Sequence, residues 1–434
     1  MTDARVLLWG RDIAAVTWLD DEEIGIFQYD PAFLKSNIQV SPLVMPLREE
    51  PYRFSELSRD TFKGLPGLLA DSLPDKFGNA LIDAWLAAQD RSSSSFNPVE
   101  RLCYIGSRGM GALEFLPTIV GAPDTNRKID VASLVRLANN VLNRRADLAG
   151  TFSGDDDTKV IQDILQVGTS AGGARAKAIL AWNEETGAFR SGQLPAESGF
   201  TRWLMKFDGI HNNRDKELAD PQGFGCIEYA YYLMAAEAGI TMNRCRLHHE
   251  GGRAHFMTKR FDRTDDGDKV HMQSLGAMMH FDFNQKGAPY SYEQAILAMK
   301  QLRLPMEDME QQIRRAYFNV IARNQDDHVK NIGFLMNRSG QWRLSPAFDV
   351  AYSYNPTGDW TSQHQMSING KRNAFQTEDL IMLAETANIK KRRAQKVLQE
   401  VRSAVSQWHS HAETAEVNER DIDRIASAFR NEIA

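Results

Sequence analysis

The alternation of apolar and polar positions divides the chain into a strand-rich beginning, a strand-rich middle and a mostly helical end. Short apolar runs separated by turn residues predict strands near 6–10, 14–19 and 25–30. In the stretch 64–89, the residues Leu81, Ile82, Trp85 and Leu86 recur at helical spacing. The first part of the chain therefore reads as a mixed α+β subdomain.

The spacing of apolar residues differs between the middle and the end of the chain. Strand signals dominate from 166 to 261, interrupted by one helix around 226–238. Beyond Tyr290 the pattern turns helical, apart from a hairpin at 331–345 with Ser339-Gly340 at its turn. We therefore predict an α+β fold in three parts: an N-terminal α+β subdomain at 1–120, a β-rich lobe with a glycine-rich loop at 121–262, and an all-helical lobe at 263–434.

Composition narrows the class of protein. The 434 residues are 42% hydrophobic and 25% charged, without an apolar run near the roughly 18 residues that a membrane span needs. The N-terminus lacks the basic-then-apolar order of a secretory signal, so we expect a soluble, cytoplasmic protein without a membrane partner. The net charge of −6 argues against a broad nucleic-acid footprint, so any DNA contact should be local or supplied by a partner.

The strongest chemical signal is the segment Asp326 to Asn331, followed by the hairpin and then Asp349. Because the hairpin turns the chain back, one Asp, one Asn and a second Asp can converge. Phosphoryl transfer from ATP requires such a set: a carboxylate for the proton of the attacking hydroxyl, and oxygen ligands for Mg²⁺. The five-residue step from Asp326 to Asn331 equals that of the protein-kinase catalytic loop. We assign Asp326 as the base, and Asn331 and Asp349 as metal ligands.

Neighbours of this segment have alternative roles. Taken alone, the Asp-Asp-His run also suits a polar loop or a helix cap. We expect His328, near the nucleotide, to anchor the loop by hydrogen bonding rather than to transfer protons. Lys330 either contacts the γ-phosphate or is a solvated surface charge.

A glycine-rich stretch lies directly before a predicted strand. Glycines allow backbone N–H groups to approach phosphate oxygens, and basic side chains add positive charge. A plain loop is the alternative, because the spacing matches neither of the common phosphate-loop patterns. The candidate ATP ligands in this stretch are Ala171, Gly172, Gly173, Ala174, Arg175 and Lys177.

A lysine within an apolar strand, Lys206, is the next candidate. A surface lysine on an edge strand is the alternative, since an ammonium is costly to bury without a partner. In a kinase site Lys206 would bind the α- and β-phosphates and pair with Glu228 of the following helix. The strand that ends with Lys259, Arg260 and Phe261 would supply the hinge for adenine.

In their order along the chain these segments resemble the HipA family of bacterial kinases. The resemblance extends to the N-terminal subdomain and rests on nearly the whole chain; the matching segments are 27–34, 65–75, 111–117, 170–177, 203–207, 259–263, 326–331 and 346–350. It implies a two-lobed, kinase-like fold of HipA type and an ATP- and Mg²⁺-dependent serine/threonine kinase. It also implies a toxin of a toxin–antitoxin system that is held by a helix-turn-helix antitoxin dimer, with operator DNA bound mainly through the antitoxin.

The resemblance implies regulation and substrates as well. Ser170 matches the position at which such kinases autophosphorylate and expel the glycine-rich loop, although a loop-stabilising hydroxyl is the alternative. Family members are associated with aminoacyl-tRNA synthetases as substrates. Two positions depart from the family pattern: Asp327, which we expect to add negative charge beside the base, and Ala176, which replaces a common proline.

Two other functions remain open at this point. A catalytically silent, kinase-like co-repressor would bridge antitoxin dimers on DNA, but it could lose Lys206, Asp326, Asn331 or Asp349 without penalty. A small-molecule kinase would use a similar set of Asp and Asn residues. The basic run 390–393 fits either DNA phosphates or a solvated helix face.

Overall fold

The computed structural model describes residues 2–87, 89–119, 129–143, 175–193, 198–210, 214–215, 218–219, 222–285, 287 and 290–433. The N-terminal part carries a four-stranded antiparallel sheet in the order β3-β2-β1-β4, formed by β1 (Thr2–Leu8), β2 (Arg11–Leu19), β3 (Ile24–Tyr29) and β4 (Leu113–Leu116). Its helices are α1 (Arg59–Phe62), α2 (Gly67–Ala70), α3 (Lys76–Ala87) and α4 (Pro98–Ile105). The predicted mixed character of this part is observed.

Local sequence explains where helix α4 begins. Asn97 and Glu100 form a reciprocal capping box, and Pro98 occupies the first helical position. Both features satisfy or remove backbone N–H groups that have no partner within the helix.

The middle part is a five-stranded antiparallel sheet in the order β10-β11-β7-β5-β6. Its strands are β5 (Lys177–Asn183), β6 (Phe189–Ser191), β7 (Phe200–Lys206), β10 (Cys245–Glu250) and β11 (Arg253–Lys259). A separate two-stranded ribbon joins β8 (Arg214–Asp215) and β9 (Leu218–Ala219). Helix α5 (Val131–Asn143) precedes this sheet, and helix α6 (Phe224–Glu237) leads into β10.

The C-terminal part is mostly helical, but it also contains a three-stranded sheet, β12-β13-β14, formed by β12 (His271–Ser274), β13 (Gly333–Met336) and β14 (Trp342–Leu344). The helices are α7 (Leu275–Met279), α8 (Tyr292–Gln301), α9 (Met306–Ile321), α10 (Thr377–Thr386), α11 (Lys391–Ser406), α12 (Trp408–Thr414) and α13 (Glu419–Ala428). The α+β class is as predicted, whereas the all-helical description of this lobe needs correction. Strand β12 pairs with the predicted hairpin as a third strand. Its sequence is too short and too polar to show the alternation of apolar and polar residues that predicts a strand.

Among the described residues, two hydrophobic cores hold these parts together. The larger core joins the N-terminal sheet to helix α6 and to the C-terminal helices. The second lies against the five-stranded sheet and includes Phe77, Leu81 and Leu86 of helix α3. Helix α3 therefore belongs by sequence to the first part but packs in the core of the middle part.

Within the ranges described above, no helix combines the length and the apolarity that crossing a bilayer requires. Cys103, Cys226 and Cys245 are free and buried.

Candidate active site

Three charged side chains from distant elements meet at one point. Lys206 at the end of β7 contacts Glu228 of helix α6, with 2.5 Å between Nζ and Oε1, and also contacts Oδ1 of Asp349, which follows β14. The side chains of Lys206 and Glu228 are only 13% and 3% exposed. The structure thus brings Lys206 to the predicted partner Glu228, and Lys206 is not a surface lysine of an edge strand.

Charge compensation controls protonation in this cluster. Burial acts to lower the pKa of Lys206, but the carboxylates of Asp349 and Glu228 outweigh it and raise that pKa above its ordinary value. Burial acts in the opposite sense on Asp349, but Lys206 and then Lys177 hold its pKa below the usual range. The lysine therefore stays charged, and Asp349 stays an anion.

Asp349 also has an unusual backbone. Its φ of 52° lies in the left-handed region, which residues other than glycine seldom adopt. Such conformations cost energy and concentrate at functional sites. The strained turn places the Asp349 carboxylate, still 31% exposed, against Lys206.

The predicted catalytic loop lies beside this cluster. Helix α9 ends at Ile321, and Asn331 closes a short 3-10 turn, Val329–Asn331. The side-chain nitrogen of Asn331 donates a hydrogen bond to the backbone oxygen of Asp326 at 2.9 Å. His328, Asn331 and Asp349 line one cavity of about 30 Å³. Asn331 of the loop and Asp349 therefore lie at one cavity, whereas Asp326 is not among the residues that line it.

His328 lies near both Asp326 and Asp349. Its Nε2 is 3.9 Å from Oδ1 of Asp326, and its proximity helps to lower the pKa of Asp349. Its Nδ1 is buried without a hydrogen-bond partner among the described residues, so the expected anchoring through the ring is not observed there. The backbone oxygen of His328 does accept a hydrogen bond from the N–H of Asn331 at 2.9 Å.

The side chain of the neighbouring Lys330 packs against an aromatic ring: its Nζ lies 5.0 Å from the ring centre of Phe283.

The carboxylate of Asp327, which we expected to add negative charge beside the base, is engaged by donors of the C-terminal lobe. Its carboxylate is buried and accepts hydrogen bonds from the Tyr292 hydroxyl at 2.7 Å and from the backbone N–H of Gln365 at 2.8 Å. Its Oδ2 also lies 2.8 Å from Nδ1 of His364. Asp327 therefore fastens the loop to the C-terminal lobe, and this role was not evident from the Asp-Asp-His run.

Most of the predicted glycine-rich loop, Ser170, Ala171, Gly172, Gly173 and Ala174, lies outside the described residues. At its end the Arg175 guanidinium stacks on the ring of Phe224, 3.3 Å from the ring centre. Lys177 forms a buried ion pair with Asp75, with 3.0 Å between Nζ and Oδ2. The sequence did not reveal Asp75 as the partner of Lys177, because nothing in its local pattern points to a distant lysine.

The three predicted hinge residues differ in what they contact. The Lys259 ammonium binds Asp265 at 2.6 Å, and the buried Arg260 guanidinium binds both carboxylate oxygens of Asp262, at 2.8 and 2.6 Å. The N–H groups of Lys259 and Arg260 already donate to backbone oxygens. The ring of Phe261 instead lies 5.5 Å from that of Phe348, next to Asp349. Lys259 and Arg260 thus already have protein partners, whereas Phe261 packs beside the turn that carries Asp349.

Comparisons with known proteins place this geometry in a family. The model of the HipA N-terminal domain matches residues 4–116, and that of the HipA-like C-terminal domain matches residues 169–408. The Sinorhizobium fredii protein named "Putative kinase Y4mE" is 25% identical over 362 residues, which cover 79% of this chain and 75% of that protein.

Solved structures give the same architecture. HipA of Shewanella oneidensis MR-1, in its complex with HipB and operator DNA, aligns with a TM-score of 0.66 and 17% identity, over 98% of this chain and 94% of that one. The Helicobacter pylori proinflammatory kinase CtkA aligns over 52% of this chain and 90% of that one, with a TM-score of 0.32 and 13% identity, too low to support an argument. The Shewanella alignment supports the predicted HipA-type fold. With one family model matching more than half of its length and a second matching the N-terminal part, the chain belongs to the HipA family.

Proposed function

We propose that this chain is an ATP- and Mg²⁺-dependent protein kinase that phosphorylates serine or threonine hydroxyls. The observation that carries the proposal is the buried contact of Lys206 with Glu228 and Asp349 beside the loop that holds Asp326 and Asn331. A lysine paired with a helical glutamate, next to a metal-binding aspartate, is the arrangement that orients ATP phosphates in protein kinases. The family membership and the similarity to Y4mE support kinase activity in general.

The chain offers ligands that suit Mg²⁺. The side-chain nitrogen of Asn331 is engaged by the backbone of Asp326, which leaves its amide oxygen as the atom to face a cation. Asp349 contributes a carboxylate that stays ionised beside Lys206. Both side chains line the same cavity, and Mg²⁺ prefers such oxygen ligands. Bound there, the ion would supply charge neutralisation between the phosphate groups.

The remaining residues take separate roles in transfer. Lys206 would hold the α- and β-phosphates, while Glu228 keeps its ammonium in place. Asp326 would orient the attacking hydroxyl and accept its proton, with His328 nearby. Lys177, Arg175 and Lys330 would add positive charge around the phosphates.

We also propose that the kinase acts in the cytoplasm as the toxin of a type II toxin–antitoxin system. The Shewanella HipA, similar in fold over nearly the whole chain, was solved with HipB and operator DNA. We expect a HipB-like helix-turn-helix dimer as the partner here, with operator DNA bound mainly through it. Autophosphorylation of Ser170 would switch the enzyme off, and an aminoacyl-tRNA synthetase is the substrate class that we would test first.

The proposal is tested by incubating the protein with labelled ATP and Mg²⁺, comparing wild type with Asp326→Ala. We expect the variant to lose about 3 to 5 kcal/mol of barrier lowering, measured as the rate of phosphate incorporation, because it lacks the proton acceptor. Mass spectrometry of the products would distinguish protein phosphorylation from small-molecule phosphorylation. No turnover by wild type would instead favour a silent co-repressor, and equal labelling by both proteins would remove Asp326 as the base.

A further inference from the structure

The ion pair between Asp75 and Lys177 joins the N-terminal part of the chain to the nucleotide side of the five-stranded sheet. The two side chains are 6% and 3% exposed, so the pair is almost fully removed from water. A charge buried to this extent is tolerated only with a partner. Each residue therefore depends on the other, although they belong to different parts of the chain.

The two oxygens of Asp75 serve different neighbours. Oδ1 accepts a hydrogen bond from the backbone N–H of Gly78 at 2.7 Å and so caps the start of helix α3. Oδ2 faces the ammonium of Lys177. The helix cap fixes the position of the carboxylate, and the carboxylate in turn fixes the lysine.

Lys177 lies directly opposite Lys206 in the register between strands β5 and β7. Residues directly opposite each other share a face of the sheet, and like charges in such a pair repel. Each lysine has its own acidic partner: Glu228 and Asp349 for Lys206, and Asp75 for Lys177. Three carboxylates thus hold two neighbouring ammonium groups on one face.

The carboxylate of Asp75 also interacts electrostatically with the catalytic loop. Burial raises its pKa, while Lys177 and, more weakly, Lys330 act to lower it. Lys177 in turn contributes to the low pKa of Asp349. Asp75 therefore belongs to the same charged network as the proposed phosphate and metal ligands.

We propose that Asp75 is a positioning residue through which the N-terminal subdomain completes the phosphate site, by holding Lys177 in place beside Lys206. This inference rests on the proposed kinase function, and it adds a residue that the kinase lobes do not contain. Asp75 does not need to touch the nucleotide, because its effect passes through Lys177.

The test compares Asp75→Asn with Asp83→Asn. Asparagine caps helices as well as aspartate does, so the first variant keeps the helix cap and removes only the charge. Asp83 lies on the same helix but pairs with Arg101, at 3.1 Å, with 37% of its side chain exposed. We expect Asp75→Asn to raise the Kd and KM for ATP at least tenfold with little change in kcat, and Asp83→Asn to change neither. Asp75→Glu should recover most of the affinity.

Two further measurements keep the outcome clear. Thermal unfolding without nucleotide shows whether Asp75→Asn folds; if it does not, the comparison moves to Lys177→Gln and the double variant, which removes both charges. In the Lys177→Gln background, Asp75→Asn should cause no further loss of ATP affinity. A separate loss there would contradict the proposal, as would unchanged or tighter ATP binding by Asp75→Asn alone.

Failure of the kinase proposal gives a different result. A wild-type protein that binds ATP without transferring phosphate would contradict kinase activity, while the Kd comparison would still decide the role of Asp75. A wild-type protein that does not bind ATP would overturn both proposals.

Discussion

Two buried acidic clusters lie close together around the catalytic loop, and they are held in different ways. In the lysine-linked cluster, Glu228 and Asp349 contact one ammonium, that of Lys206. In the hydrogen-bonded cluster, the carboxylate of Asp327 is surrounded by Tyr292, His364 and the backbone of Gln365. The carboxylates of Asp349 and Asp327 thus lie in opposite kinds of environment.

The difference indicates which cluster is suited to chemistry. An ion pair with a partly exposed member can exchange one partner for a phosphate or a cation, since Asp349 keeps 31% of its side chain accessible. A buried carboxylate whose oxygens are all engaged by fixed donors has no such freedom, and losing a donor is costly. We therefore propose that the lysine-linked cluster takes part in catalysis and that the hydrogen-bonded cluster attaches the loop.

The largest effect should come from Asp349→Asn. Asparagine tolerates the left-handed backbone at this position, so the turn should persist, and Lys206 keeps Glu228 as its partner. We expect phosphate transfer to fall about a thousandfold, or about 4 kcal/mol, because a metal-binding carboxylate is lost. Steady-state labelling measures the rate, and circular dichroism during urea unfolding checks that stability changes far less. Wild-type activity in this variant would reverse our assignment of the two clusters.

Asp327→Asn should lower stability more than it lowers the rate of phosphate transfer. An amide group in place of the carboxylate would turn a donor towards the Tyr292 hydroxyl and His364, leaving buried groups unsatisfied. We expect the free energy of unfolding to fall by about 2 to 3 kcal/mol. The folded variant should lose less than tenfold in rate, or about 1.4 kcal/mol. A large loss of rate with full stability would indicate that Asp327 takes part in the chemistry.

A smaller, pH-dependent effect should separate Asp327→Asn from wild type. Burial acts to raise the pKa of Asp327, but His364 first, then Tyr292 and the Gln365 N–H, lower it overall. A lowered folded-state pKa contributes stability above the unfolded value of about 3.9, and that contribution is lost as the pH falls below it. The stability difference between wild type and Asp327→Asn should therefore shrink below about pH 4. Urea unfolding at pH 7 and at acidic pH measures it, and a constant difference would contradict this explanation.

The smallest effect is expected for an exposed ion pair. Asp268 lies 3.3 Å from Arg338, and both side chains are more than half exposed, at 63% and 65%. Asp268→Asn should change the free energy of unfolding by no more than about 0.5 kcal/mol, because water and salt screen such pairs. A loss as large as that of Asp327→Asn would show that burial does not explain the difference between the clusters.

Much of the candidate site was predictable because its residues are linked by short, patterned stretches of chain. The step from Asp326 to Asn331 and the following hairpin leave few ways to place Asp349. Lys206 and Glu228 were predictable as a strand lysine followed by a helical glutamate. In each of these cases the spacing of the residues along a strand, loop or helix determines where their side chains lie.

Other features depend on contacts that no local pattern encodes. Nothing in a run of two aspartates tells which carboxylate the C-terminal lobe binds, so the attachment of the loop through Asp327 could not be predicted. The partner of Lys177 comes from a helix cap in another part of the chain, and Arg260 looked like a ligand although a nearby carboxylate, that of Asp262, binds it. Strand His271–Ser274 forms by pairing with the hairpin strand Gly333–Met336, which is distant in sequence.

Helix Lys76–Ala87 has a consequence for how this molecule can be divided. Its apolar side chains form one wall of the second core, so a fragment beginning after residue 120 would present a bare hydrophobic sheet surface to water. The segments that match the two family models, 4–116 and 169–408, are consequently not interchangeable modules. A chimera that exchanges either segment between relatives would need to take the helix and the sheet face that it covers from the same protein.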